Sequence, residues 1–294
     1  MSEDEALGSR TSFRPFSQRQ SGLVREEALF EGVPDHLNIA LREWIYTATT
    51  ERMARRVCLR LRLPHLSARD LAQGVDEPTI LDVIDALLWI GLETVPSRER
   101  ISPRATRGVI HAADLVDELQ EILEEGGSAY CVNADRDGLE TRVDPTASAA
   151  MHAIRQSLTK TGREGAADLL RDAWAKVYGM RPDPGEAYSD AVKAVEALAC
   201  PLFLPHAQQP TLGTVKTHLE QASAKYELVI SGRDANPAPV DAAVAMIGLL
   251  WHGQRERHAG GPTSAPITQE AAEAAVHLAL TLVQWLEAGA IRQK

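Results

Sequence analysis

The chain is short of cysteine, of aromatic side chains, of positive charge and of long apolar runs, and each shortage removes a class of protein. Only Cys58, Cys131 and Cys200 occur among 294 residues. An odd, sparse set suits a reducing compartment better than a disulfide framework. No two of them stand at CxxC or Cys-His spacing, so no metal site is expected. Phosphate-binding loops, dinucleotide-binding glycine fingerprints, HExxH and nucleophile elbows are also missing, and no cofactor is expected. Phe, Trp and Tyr make up 5% of the chain, while Ala and Leu are plentiful. That mix favours helices over a sandwich or barrel.

Lys and Arg total 31 against 41 Asp and Glu, a net charge of −10. Such a chain is a poor general binder of nucleic acid, whose affinity for phosphates rests on Lys and Arg. Basic residues do collect in the first third, at Arg10, Arg14, Arg19 and Arg25 and again at Arg52, Arg55, Arg56, Arg60 and Arg62. A loose basic tail followed by a solvated helix face accounts for them. The longest apolar runs, such as Ala245–Trp251, fall far short of the ~20 residues that span a bilayer. The start, MSEDEALGSRTS, lacks the apolar segment of a signal peptide. A soluble, cytoplasmic protein with no membrane partner is expected.

What is present is helical periodicity, enough for roughly two domains of about 100–200 residues each. Residues 1–20 read as a disordered tail and 21–145 as a helical N-terminal domain ending in a short β-hairpin. In that domain Pro34-Asp35 opens a first helix. A second, over Glu51–Leu63, competes with a strand because Arg alternates with Val57, Leu59, Leu61 and Leu63. Ser67 caps a short third helix. Pro78–Leu92 and Val109–Glu125 carry dense apolar stripes, the latter stopped by Gly126-Gly127. Between residues 129 and 143 the pattern breaks. Two short β-prone runs flank Asn133–Gly138, with Asp137-Gly138 as the turn. Asp135 and Asp137 are read as turn residues rather than as cation ligands.

Residues 146–294 read as a helical bundle, with helices over Thr146–Thr159, Glu164–Tyr178, Pro184–Leu204, Thr211–Gln221, Val240–Arg257 and Thr268–Ala288. Gly232–Pro239 reads as a loop. On the last helix Glu270, Glu273, His277, Thr281 and Gln284 recur at 3- and 4-residue spacing. They make one polar stripe on an apolar cylinder, which places the helix centrally with one groove-facing side.

Three segments together carry a resemblance. These are Ala187-Tyr188-Ser189-Asp190-Ala191-Val192-Lys193-Ala194-Val195-Glu196, the turn Trp251-His252-Gly253-Gln254-Arg255-Glu256-Arg257-His258-Ala259-Gly260-Gly261, and Glu270–Val276 followed by Leu282–Leu286. Residues of about 184–290 resemble the C-terminal domain of bacterial abortive-infection proteins, a branch of the HEPN superfamily. The resemblance implies a mainly α, HEPN-like helical bundle that forms a homodimer and acts in phage or stress defence. Many members are metal-independent endoribonucleases. In these an Arg grips the phosphate and a His, separated from it by four to six residues, moves the proton of the RNA 2′-OH. His258 takes the place of that histidine. Positions 251–253, where the arginine belongs, hold Trp, His and Gly. Arg255 shares a helical face with His258 at i, i+3, and Arg257 is the nearest other cation. Catalysis is therefore assigned to His258, Arg255 and Arg257.

Lys193, Glu196, Glu273 and His277 are assigned to substrate binding, although Lys193 and Glu196 also read as a solvated pair and His277 as a semi-buried core histidine. Further matches to the loose Arg–His spacing, Arg60 with His65 and Arg104 with His111, are chance occurrences in a chain with nine histidines. The resemblance implies RNA as substrate or ligand and a phage-derived or other protein trigger. A non-catalytic HEPN-like dimerisation or interaction scaffold is the alternative. A small-molecule enzyme working beside the Glu273/His277 stripe remains a third class.

Overall fold

The computed structural model describes residues 29–96, 109–232, 236–254 and 266–294. The fold is mainly α, with a few short antiparallel strands. Two buried apolar clusters organise it, one between Val33 and Leu139 and the other between Met151 and Ile291.

The first cluster is built by α1 (Asp35–Ala48), α2 (Glu51–Leu61), α3 (Ala68–Gly74), α4 (Glu77–Ile90) and α5 (Ala112–Glu125). Leu37, Leu41, Trp44 and Ile45 of α1 meet Ile80, Ile84 and Leu87 of α4 and Leu115 and Leu119 of α5. The indole of Trp44 donates to the Leu115 carbonyl at 2.7 Å, so its one polar atom is satisfied in the core. The ambiguous segment is a helix. Thr50 caps it and Arg62 ends it in the left-handed conformation. Its buried face is Met53, Ala54, Val57 and Cys58, at helical spacing, while Leu59, on which the strand alternation depended, is 81% exposed. Helix α5 begins at Ala112, because Val109–Ile110 forms β2 and pairs with β1 (Val95–Pro96).

The hairpin pairs β3 (Tyr130–Val132) with β4 (Leu139–Thr141). Its connection is longer than an Asp-Gly turn. The Asn133 amide donates to the Gly138 carbonyl, Arg136 takes the left-handed conformation, and the Asn133 side chain bonds both the amide and the carboxylate of Asp137.

The second cluster is built by α6 (Pro145–Lys160), α7 (Glu164–Tyr178), α8 (Pro184–Phe203), α9 (Leu212–Gln221), α10 (Asp241–Gly253) and α11 (Gln269–Glu287). Helix α8 packs against α7, α9 and α11 and lies at the centre. A three-stranded sheet, absent from the sequence reading, closes one end. In it β5 (Tyr226–Ser231) lies between β6 (Pro237–Pro239) and the C-terminal β7 (Ile291–Gln293). The two prolines of β6 are tolerated because it is an edge strand. No helix among the described residues is long and apolar enough to cross a membrane.

Candidate functional site

Arg255, Arg257 and His258 lie outside the described residues. The described residues on either side of them border one groove. Helix α10 ends at Gly253, where any side chain would collide with the Tyr188 hydroxyl, and that hydroxyl donates to the Leu250 carbonyl at 3.0 Å. The chain is described again from Pro266. Gly253 and Pro266 both line an apolar groove of about 400 Å³, together with Tyr188, Leu249, Ala274 and Leu278. Leu249 is 70% exposed on its rim.

The four residues assigned to substrate binding make separate contacts inside the bundle. Lys193 Nζ lies 2.9 Å from Asp190 Oδ1, and Lys176 of α7 takes the other oxygen at 2.5 Å. Burial of Asp190 by itself raises its pKa, but the two lysines more than offset this and hold the carboxyl below its ordinary value. Glu196 Oε1 accepts from the amide of Leu212 at 2.7 Å, satisfying one of the orphan donors at the start of α9. Glu273 accepts from Gln269 at 2.9 Å, and Gln269 also donates to the Val177 carbonyl near the end of α7. His277 Nε2 is 2.8 Å from the Tyr178 hydroxyl, with the Trp174 ring edge-on at 5.8 Å. Burial, with Glu273 and Glu140 nearby, pushes the Tyr178 phenol up to about 12, so it keeps its proton. The His277 part of the polar stripe of α11 thus faces α7, while Glu270 is exposed and Thr281 bonds back to the His277 carbonyl. The helical period identifies such a stripe but not the neighbour it meets.

A second site lies where the hairpin meets the bundle, and the sequence reading missed it. Successive residues of a strand point to opposite faces. Leu139 enters the first core and its amide donates to Asp85 at 2.8 Å. Glu140 is directed the other way, towards α7. It is 6% exposed, accepts from the Trp174 indole at 3.0 Å and bridges by its backbone to Gly179. Neither oxygen bonds a cation among the described residues. Burial therefore dominates and pushes the carboxyl up to about 7. Next to it, Arg155 of α6 places Nη1 and Nη2 at 3.2 and 3.3 Å from the two oxygens of Asp135. Its Nε is buried with no acceptor, an omission that typically costs about 1–3 kcal/mol.

Glu140, Trp174, Arg171 and Arg155 enclose a chamber of about 40 Å³. It adjoins a groove of about 320 Å³ lined by Asp135, His152, Arg155, Gln156, Thr159 and Lys160. A perturbed carboxyl beside a cavity is a usual mark of a site. The available sequence signal was an acid beside a core leucine within a short strand. Its partners Trp174 and Arg155 come from two later helices, and no local period links them. No group of three or more His, Cys, Asp or Glu suited to a metal ion occurs among the described residues.

No protein-family model, curated protein or solved structure matches the chain.

Proposed function

We propose that the chain serves in bacterial defence against phage or related stress, and that its C-terminal half is an HEPN-like bundle used as a homodimerisation and interaction scaffold. The observation that carries this reading is the apolar groove between α10 and α11, with exposed Leu249 on its rim and Ala274 and Leu278 along its wall. The internal bonding of Lys193, Glu196, Glu273 and His277 also favours a structural use of those residues over a shared catalytic cleft. A second copy presenting the same face is the simplest closed arrangement, because a two-fold interface is self-complementary. Light scattering on the full chain tests it. The wild type is expected to run as a dimer. Leu249→Asp, at a position already in water, is expected to run as a folded monomer. A monomeric wild type, or a variant that stays dimeric, would end the reading.

The second reading is metal-independent RNA cleavage or RNA binding in the cytoplasm, with His258 as acid/base, Arg255 on the phosphate and Arg257 assisting. It is favoured by the position of Gly253 and Pro266, which places both approaches to the 255–265 segment on the groove. The measurement is cleavage of RNA in EDTA by the wild type and by an Arg255→Ala, His258→Ala double variant. Cleavage lost in the variant supports it, and equal cleavage by both removes the assignment. A phage-derived or other protein trigger would then act through residues 29–143.

A further inference from the structure

We infer that the outward face of α2, with Trp89 of α4 beside it, binds single-stranded nucleic acid, its arginines on the phosphates and a base against the Trp89 ring. The surface lies in the N-terminal half, and its test depends on neither reading of the proposed function.

The face follows from the helical period. With Met53, Ala54, Val57 and Cys58 turned into the core, Arg52, Arg55, Arg56, Leu59 and Arg60 are left in water on the opposite side. Four guanidinium groups thus stand along about 12 Å of helix. Like charges three and four residues apart repel one another, and no acid stands among them to offset this. Six arginines and two acids occur between residues 51 and 70. Both acids are used at the start of α3, where Glu51 accepts from the Ala68 amide at 3.2 Å and Asp70 from the Ser67 hydroxyl at 2.7 Å. Of the four arginines, Arg52 alone has an acidic partner among the described residues, Glu93 at 3.6 Å.

A solvated face explains the arginines but not the apolar surface among and beside them. Leu59 is 81% exposed and Trp89 is 55% exposed. The guanidinium carbon of Arg60 stands 3.1 Å from the centre of the Trp89 ring, yet more than half of that side chain is still open to water. Guanidinium and indole planes are surfaces on which unpaired bases stack, and a guanidinium also grips phosphate through paired hydrogen bonds. A duplex keeps its bases stacked inside and offers none to Trp89. A second copy of the chain offers an acidic row, Asp114, Glu118, Glu121 and Glu125 of α5, all exposed, but these carry no apolar group to cover Leu59 and Trp89. Arginines without acids, next to an exposed ring, fit a flexible polyanion that brings rings of its own. The net charge of −10 opposes such a ligand elsewhere and confines it to this face.

The test is fluorescence anisotropy of a labelled 12-nucleotide single-stranded DNA of mixed sequence, titrated with the full chain in EDTA at 50 and 200 mM NaCl. DNA lacks the 2′-OH, so the cleavage considered above cannot consume it, and failure of that reading leaves this test intact. Saturable binding is expected at the lower salt. With Arg55, Arg56 and Arg60 each on one phosphate, the slope of log affinity against log salt should be about −2, a loss of roughly twentyfold between the two concentrations. The double variant Arg55→Gln, Arg56→Gln, at two positions already in water, should flatten the slope to about −0.7. Trp89→Ala should weaken binding roughly tenfold through lost stacking while the slope is kept, and Trp89→Phe should weaken it less. The inference is overturned if no saturable binding occurs at 50 mM, if the arginine double variant keeps the wild-type slope, or if the duplex of the same sequence binds more tightly. It is also overturned if poly-glutamate displaces the labelled DNA as well as unlabelled DNA does, which would mark a surface for an acidic protein.

Discussion

Asp190 and Glu140 are both acids taken out of water, and the protein handles them in opposite ways. In the bundle, Asp190 is met by two ammonium groups from different helices, Lys176 of α7 and Lys193 of its own α8. Its charge is retained and its pKa held down. At the junction of the two halves Glu140 has one neutral donor, the Trp174 indole, while the nearest guanidinium is spent on Asp135. Its charge is disfavoured and its pKa is raised. The difference lies in the count of uncommitted cations within reach, since burial pushes both acids the same way. The protein therefore has one acid placed for structure and another that changes state near neutral pH.

The two acids must tilt stability in opposite directions with pH. Glu140 has a folded-state pKa of about 7 against an ordinary value of 4.5. The fold prefers its protonated form, so a cost begins above 4.5 and is complete above about 7. Asp190 is the reverse. Its contribution is present above the ordinary value of 3.8 and is lost as pH falls through its lowered folded-state pKa.

The largest expected effect follows from removing the Glu140 charge. Glu140→Gln should stabilise the protein at pH 8 by roughly 3 kcal/mol, the linkage equivalent of such a shift. At pH 4.5 it should change little. Urea unfolding at the two pH values measures it, and a gain that does not depend on pH would refute the assignment. A smaller effect, about 2 kcal/mol of destabilisation at pH 7, is expected from the double variant Lys176→Met, Lys193→Met. The figure is kept below that for a fully buried pair because both lysines are more than a third exposed. That variant also makes Asp190 resemble Glu140. Its stability should fall more steeply than that of the wild type as pH rises from 4 to 7.

Much of the helical frame was legible because it is local. Helix α7 spans Glu164–Tyr178 as its apolar period requires, and Ser67 and Thr211 cap α3 and α9 by accepting from Asp70 and Thr214 amides. What escaped was non-local. Strand β5 pairs with β7, whose Ile291 lies opposite Leu228 although it comes from the last residues of the chain. Three residues there carry no pattern of their own. The same limit held at the sites. A 3.6-residue period shows that Glu273 and His277 share a face, but only packing brings that face to Gln269, Tyr178 and Val177. Glu140 next to Leu139 signals nothing until Trp174 and Arg155 arrive from other helices.

The smallest expected effect is also the most discriminating. Lys193→Met alone should cost about 0.5 kcal/mol or less at pH 7, because the Lys193 ammonium is half exposed and screened by water and Lys176 remains 2.5 Å from the other oxygen of Asp190. One cation suffices to keep the acid ionised, so the slope of stability against pH should stay close to that of the wild type and steepen only when the second lysine is also removed. Additive behaviour, with each single variant costing half of the double, would mean that the two ammonium groups act independently. Asp190 would then owe its charge to its access to water, and the contrast with Glu140 would reduce to depth of burial. Strong non-additivity would locate the contrast in whether any uncommitted cation is present.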